Sequence, residues 1–323
     1  IDLLQAARIG GPSISLDYGN PFLDEKGTGI RASVYSRIVY RFANTFGQTT
    51  FAGGNDYFER RTGAAGGLTR FLLDRPGNQI QGGISARYEG VRTNVPVGVT
   101  SALFTDPAGS AIRQDGQVGV LTFGITRDRR DLALDASRGD FLAFNLEPGF
   151  SNIQRVSGPL DVSDILGRST FVRTSFDYRS YFTNGKRRTV RDIDGPRRVL
   201  AFRARGGTIV GRVPFFEQFF AGGAQSVRGY NEDQFWGKNQ LITTAELRIP
   251  VQQSFNLIGF VDYGGAWGGY PGFNNLLQSD SFKLHLGYGF GVSVRTPLGP
   301  IRLDLGFDEN GRSRTHFLIG TSF

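Results

Sequence analysis

Four carboxylates, two histidines and one arginine carry most of the chemistry this chain could perform. Glu246, Asp262, Asp304 and Asp308 lie in its last quarter, with His285 and His316 among them. Paired carboxylates can serve acid–base catalysis, and a histidine beside a nucleophile can serve acyl transfer, when the groups converge on one pocket. No serine partner stands out for either histidine, and no phosphate-cradling loop is apparent. Two histidines and no cysteine argue against a His/Cys metal site. An all-carboxylate cation site stays open. The sequence therefore assigns no catalytic residue, no metal site and no cofactor, and the protein reads as a non-enzyme. The carboxylates read instead as charge partners in a wet interior. The arginine to match them is Arg228, in the stretch Val227-Arg228-Gly229-Tyr230. Its planar fork can hold a carboxylate through two parallel hydrogen bonds, and Gly229 permits a sharp turn.

Strands must position these groups, because the flanking sequence alternates with a period of two. Leu284, Leu286, Tyr288, Phe290, Val292 and Val294 share one face, against His285, Gly287, Gly289, Gly291 and Ser293 on the other. Ile301, Leu303, Leu305 and Phe307 oppose Arg302, Asp304, Gly306 and Asp308. Leu241 to Val251 sets Leu247 and Ile249 against Glu246 and Arg248. Phe317, Ile319 and Phe323 oppose His316 and Leu318 in the last strand. Such strands approach the ~9–11 residues that cross a bilayer at a tilt, with an apolar face toward lipid and a charged, glycine-rich face toward a lumen. A carboxylate is costly against lipid, so Asp262 faces the lumen and brings Phe260 and Gly264 with it. The parity predicts that the Val227–Tyr230 loop folds into the lumen and that Arg228 pairs with Asp262. Phe260 is then placed to pack on the loop, and Gly264 to leave room for its backbone.

Composition fits an all-β transmembrane antiparallel barrel spanning 1–323. No apolar run approaches the ~18 residues of a membrane helix, and a barrel hides its lipid face in every second residue. The net charge of +8 is spread over strand polar faces, turns and loops, so nucleic acid is not an expected partner; the lipid bilayer is. About thirteen strands can be counted. Connections tend to alternate short and long: Gln252-Gln253-Ser254 and Pro297-Leu298-Gly299-Pro300 are short, whereas 41–61, 92–117, 149–169, 212–238 and 268–282 read as long external loops. The segment 183–197 is longer than a turn at its end should be. Thr62 to Leu73 reads as a weak, glycine-rich strand, with Gly63, Gly66 and Gly67 suited to curvature or to packing against a plug.

Several motifs converge from residue 199 onward. Phe220-Ala221-Gly222-Gly223 precedes Val227-Arg228-Gly229-Tyr230; Phe260-Val261-Asp262-Tyr263-Gly264 has a Phe-x-Asp-x-Gly pattern; Thr296-Pro297-Leu298-Gly299-Pro300 and a terminal Phe323 follow. Together they resemble the BamA family of outer-membrane assembly barrels and its relatives, the two-partner-secretion translocases. Asp17-Tyr18-Gly19-Asn20-Pro21-Phe22 and the strand after it resemble the family's fourth and fifth barrel strands, above all in cyanobacterial and plastid-type members. The resemblance implies a sixteen-stranded barrel of which thirteen strands are visible, with the first three strands and the POTRA domains not in this chain, so that Ile1 is not expected to be the natural N-terminus. It implies a seam at the last strand, including Phe317, Ile319 and Phe323. It further implies a bacterial outer membrane or plastid outer envelope, unfolded outer-membrane protein clients, and accessory assembly subunits as partners. Insertion of client barrels is the leading expectation. A secretion translocase is the alternative, and a passive porin is a weaker one.

Overall fold

The computed structural model describes residues 13–41, 58–94, 113–133, 135–157, 165–184, 197–252, 254–269, 281–296 and 299–320. Eight strands come before the Arg228 loop: β1 (Ile14–Asn20), β2 (Thr28–Tyr40), β3 (Phe58–Arg75), β4 (Asn78–Asn94), β5 (Arg113–Asp128), β6 (Gly139–Ser157), β7 (Gly167–Phe182) and β8 (Val199–Gly211). The loop contains a 3₁₀ turn (Phe215–Glu217) and two short strands, β9 (Phe219–Ala221) and β10 (Phe235–Gly237). After it come β11 (Asn239–Gln252), β12 (Phe255–Trp267), β13 (His285–Thr296), β14 (Gly299–Asp308) and β15 (Ser313–Ile319). Thirteen of these strands form one antiparallel sheet in which β8 pairs with β11 and every other neighbour is sequential; β9 and β10 pair separately. The sheet is not closed: among the described residues, β1 and β15 do not pair with each other.

Its outer face is apolar and uncovered. Val34, Tyr88, Phe123, Phe144, Val261 and Phe290 all stand exposed there. In a water-soluble protein so wide an apolar surface would be covered; in a barrel wall it meets lipid. The opposite parity faces a lumen lined by charge and small residues, as the alternation predicts for β11 to β15. Turn chemistry closes the short ends. Pro76-Gly77 links β3 to β4, with Gly77 at φ 72°. Asp24 accepts the backbone N–H groups of Lys26 and Thr28 ahead of β2.

The strands are longer than the sequence pattern suggests. β3 runs 18 residues and β6 19, beyond the ~9–11 of a membrane crossing. Residues assigned above to loops, including Phe58–Arg61, Arg92–Asn94, Arg113–Gln117, Gly149–Ser157 and Gly167–Ser169, are strand. The reason is a reversal of polarity. At this end Val91, Val118, Val120, Ile153, Phe171 and Ile209 point inward and form a buried cluster with Val213 and Phe216 of the loop. Apolar residues face lipid in the membrane and face the loop beyond it, so a pattern keyed to outward apolar positions stops short.

The glycines of β3 sit close against the next strand. A Cβ on Gly63 or Gly67 would meet β4, at Tyr88 O (2.3 Å) and Ser85 Cβ (2.6 Å), so these residues admit a neighbouring strand. Residues 185–196, 270–280, 297–298 and Phe323 lie outside the described residues, and with them most of the 183–197 connection and part of the proposed seam. The inner wall of β1 to β6 borders a cavity of ≈ 630 Å³, reached by Ser33, Ala65, Gly67, Gly83, Ser85 and Gly124.

This parity is open to test. With cysteine introduced singly, a water-soluble maleimide is expected to modify Ser33→Cys, which borders the cavity, and to spare Val34→Cys in the lipid. The reverse pattern would mean a register one residue out, which moves every side chain of β2 to the other face. Leu286→Arg, on the lipid side of β13, is expected to cost ~2–4 kcal/mol near the bilayer centre and less toward its edges, read from urea unfolding in lipid.

Candidate functional site

The segment between β8 and β11 is not a solvated external hairpin, although Arg212 and Gln225 stand exposed. It enters the lumen, and Val227, Arg228, Gly229 and Tyr230 are all buried. Local chemistry shapes it. Gly222, Gly223 and Gly229 take φ of 107°, 95° and 96°, a left-handed region that side chains other than glycine rarely adopt. The Gly222 N–H donates to Ser226 Oγ (2.8 Å) and the Gly223 N–H to the Val227 carbonyl (3.1 Å), which closes the turn ahead of the arginine. Val227 and Tyr230 pack with Ala221, Phe235, Ile242 and Ala266. Phe215 stands edge-on to Trp236, with ring centres 4.7 Å apart.

Arg228 reaches the wall formed by β11, β12 and β14. Its Nε donates to Asp262 Oδ2 (2.7 Å) and its Nη2 to Asp262 Oδ1 (2.8 Å), a two-pronged pair. The Arg228 backbone N–H adds a third bond to the same carboxylate, at 3.1 Å. Nη1 donates to Glu246 Oε2 (3.2 Å) and Asp304 Oδ2 (3.1 Å). The guanidinium carbon lies 3.4 Å from the centre of the Phe260 ring, a cation–π contact from which water is shut out. Arg228 is 2% exposed, and Asp262 and Glu246 are 0% exposed. Burial opposes the charge on Arg228; Asp262, then Glu246 and Asp304, outweigh it and hold the proton more firmly than usual. Arg302 shares the surplus carboxylate charge, donating to both Glu246 and Asp304. Three acids thus converge on arginines. Among the described residues no group of His, Cys, Asp and Glu is arranged to hold a metal ion.

Asp262 and Phe260 both meet Arg228. Gly264 faces inward with them, but a Cβ there would strike Leu241 O (2.6 Å) and Ile242 Cα (2.8 Å) of β11. The glycines that admit the loop backbone are Gly287 and Gly306. A Cβ would lie 2.1 Å from Arg228 O at the first and 2.5 Å from Gly229 N at the second. Their signal was the run of inward glycines in β13 and β14. The Gly229 N–H donates to Nε2 of His316 on β15 (3.0 Å), and the Tyr230 hydroxyl donates to the Leu286 carbonyl (3.1 Å). Phe317 and Ile319 lie on the lipid-facing side of β15, the face opposite His316.

A second cluster escapes the sequence reading. Glu217, inside the aromatic run Phe215–Phe220, is buried against the opposite wall. Its Oε1 accepts from Arg61 of β3 (3.1 Å), and its Oε2 accepts from Arg87 of β4 (2.5 Å) and Arg173 of β7 (3.3 Å). Burial would raise its pKa, but Arg87, then Arg61 and Arg173, hold it down to about 2. The one available signal was an acid set among four phenylalanines, which needs a partner if the loop is buried.

These observations frame the comparisons with known proteins. The Omp85 superfamily domain matches residues 11–323. The chain belongs to the Omp85 superfamily. Outer envelope protein 80 of Arabidopsis thaliana, a chloroplast protein, is 37% identical over 133 residues, covering 39% of this Omp85 chain and 18% of that protein. Protein TOC75-3 of the same plant is 25% identical over 242 residues, 70% of this chain and 29% of the relative. The outer membrane protein assembly factor BamA of Nitratidesulfovibrio vulgaris is 29% identical over 140 residues, 38% and 17% of the two chains. The chain thus spans less than a third of the length of each of these relatives. The crystal structure of BamA from Haemophilus ducreyi lacking POTRA domains 1–3 shares the fold, with a TM-score of 0.59 at 16% identity over 95% of this chain and 60% of that one.

Two measurements test the clasp. Arg228→Ala removes one partner of a buried charge cluster, a change that costs ~3–5 kcal/mol when no water can enter and less in a hydrated lumen. It is expected to speed protease cleavage within 212–238 while the β-spectrum of the barrel stays unchanged. Glu232 gives a pH dependence. Its carboxylate accepts the Ala224 N–H (2.7 Å), yet burial raises its pKa from 4.5 to about 7. The folded loop therefore binds the proton more tightly than the unfolded chain, so loop stability rises as pH falls from about 7 toward 4.5 and is lowest above 7. Glu232→Gln is expected to slow hydrogen exchange of the loop above neutrality and to leave it unchanged near the lower limit.

Proposed function

We propose that this chain is the membrane wall of a machine that inserts other β-barrel proteins into an outer membrane, bacterial or plastid. The observation that carries the reading is the Val227–Tyr230 loop clasped by Asp262 against the lumenal wall of an Omp85 superfamily sheet. Membership of the Omp85 superfamily supports protein insertion or translocation in general; insertion is the finer step taken here. A sheet edge offers unpaired N–H and C=O groups on which an unfolded client strand can pair. Pairing there lets the client enter lipid without bare backbone groups, each of which would cost several kcal/mol. No covalent chemistry is required, so no catalytic group, metal or cofactor enters the proposal. Its partners are the bilayer, unfolded outer-membrane clients and accessory assembly subunits. The last strand, with Phe317 and Ile319 toward lipid, is the proposed seam on this side.

Passage of a protein through the lumen is a second reading, and the cavity along β1 to β6 favours it. One experiment separates the two. The complete protein is reconstituted in liposomes and given either an unfolded barrel client or a secreted, non-barrel one. Insertion predicts that the barrel client becomes protease-resistant and heat-modifiable while the secreted one stays outside. Arg228→Ala is expected to slow insertion about tenfold or more, the effect of losing ~1.4 kcal/mol in the rate-limiting arrangement. Uptake of the secreted client alone would favour translocation.

A further inference from the structure

The lumenal loop meets both sides of the curved sheet, and it does so with opposite charges. On one side Glu217 takes three arginines from β3, β4 and β7. Arg61 of that set also donates to the Phe216 carbonyl (2.6 Å), and Arg173 donates to the Glu217 carbonyl (3.2 Å). Arg41, at the end of β2, lies 4.0 Å from the Phe220 ring centre and 3.8 Å from Asp233. On the other side Arg228 takes carboxylates from β11, β12 and β14, and Gly229 is tied to β15. The loop contacts therefore run from β2 to β15. The wall arginines are themselves fixed. Arg61 donates to Glu59 and Glu89, Tyr35 of β2 donates to Glu89, and Arg173 donates to Glu147 of β6. A pull on Glu217 is thereby passed to five strands.

We infer that the loop is a two-ended strut that sets the separation of the β2–β7 wall from the β11–β15 wall, with Glu217 the positioning residue at one end and Arg228 at the other. Each end alone leaves a hinged flap; both together make a brace. The charges make the brace specific, because each end fits only its own wall. A sheet also curves through its inherent twist. The rival view is that twist alone fixes the curvature and the loop merely rides within it.

The two views differ in a measurement that needs no client and no activity. Spin labels are placed at Ala64→Cys on β3 and Val261→Cys on β12, both facing lipid; residues 1–323 contribute no other cysteine. Pulsed dipolar spectroscopy on the reconstituted complete protein then reads the distance between the walls. Hydrogen exchange is followed separately at Phe215–Phe220 and at Val227–Tyr230. Glu217→Gln keeps the shape of the side chain and removes its charge. The strut predicts faster exchange at Phe215–Phe220, retained protection at Val227–Tyr230, and a longer, broader distance distribution. Arg228→Ala is expected to show the reverse exchange pattern and a similar broadening. Arg87→Gln removes one of three donors, and a smaller shift in the same direction is expected; it serves if Glu217→Gln fails to fold. An unchanged distance distribution in a variant whose loop exchanges faster would overturn the inference in favour of twist. Unchanged exchange at Phe215–Phe220 in both charge variants would overturn it by showing that Glu217 anchors nothing.

Discussion

The structure depends on keeping charge buried without leaving it unmatched. A guanidinium 2% exposed would be untenable alone. Asp262 makes it tenable through three hydrogen bonds, two from the fork and one from the backbone. Glu246 and Asp304 would then repel each other and Asp262 if Arg302 and Arg248 did not share them. Buried pairs of this kind add little net stability over apolar packing, but they punish every misplacement. The clasp therefore specifies one position for the loop more than it strengthens the barrel. The close glycines serve the same end. Gly287 and Gly306 leave only enough room for backbone, so the loop settles at one depth.

The sheet serves two solvents. Across the membrane, apolar side chains point out to lipid and charges point in. Beyond it, the same strands continue with apolar side chains inward, where Val118, Val120, Ile153 and Phe171 meet Phe216 of the loop. A strand can make this change without a break, because its two faces are independent sets of positions. Loop and wall thus share a small apolar core of their own, set apart from the lipid-facing surface.

What the sequence disclosed follows from these rules. Thirteen strands and their parity were legible because lipid imposes one requirement on every second residue. The pairing of Arg228 with Asp262 was legible because a carboxylate facing lipid is too costly, which left few places for Asp262 to point. Strand ends were not legible where polarity reverses. Arg113–Gln117 and Gly149–Ser157 look like loop to a reading that expects apolar residues outside. Gly264 shared a face with Asp262, but parity says nothing of depth or of which neighbour fills the space. Glu217 was missed for a related reason. Its arginines are 156, 130 and 44 residues away in sequence, and only the curl of the sheet brings them to one point.

Glu217 and Arg228 stand eleven positions apart on one segment, an acid followed by a base. The two ends of the segment carry opposite charge, and each is seated on wall groups of the other sign. While the loop is in place, both groups are buried out of reach of a passing charge. With the loop drawn aside, the arginines would still hold Glu59, Glu89 and Glu147, and the carboxylates would still hold Arg248 and Arg302, so each wall would lose one partner and not stand bare. The loop is then the last member of two charge networks at once, and its seating completes both.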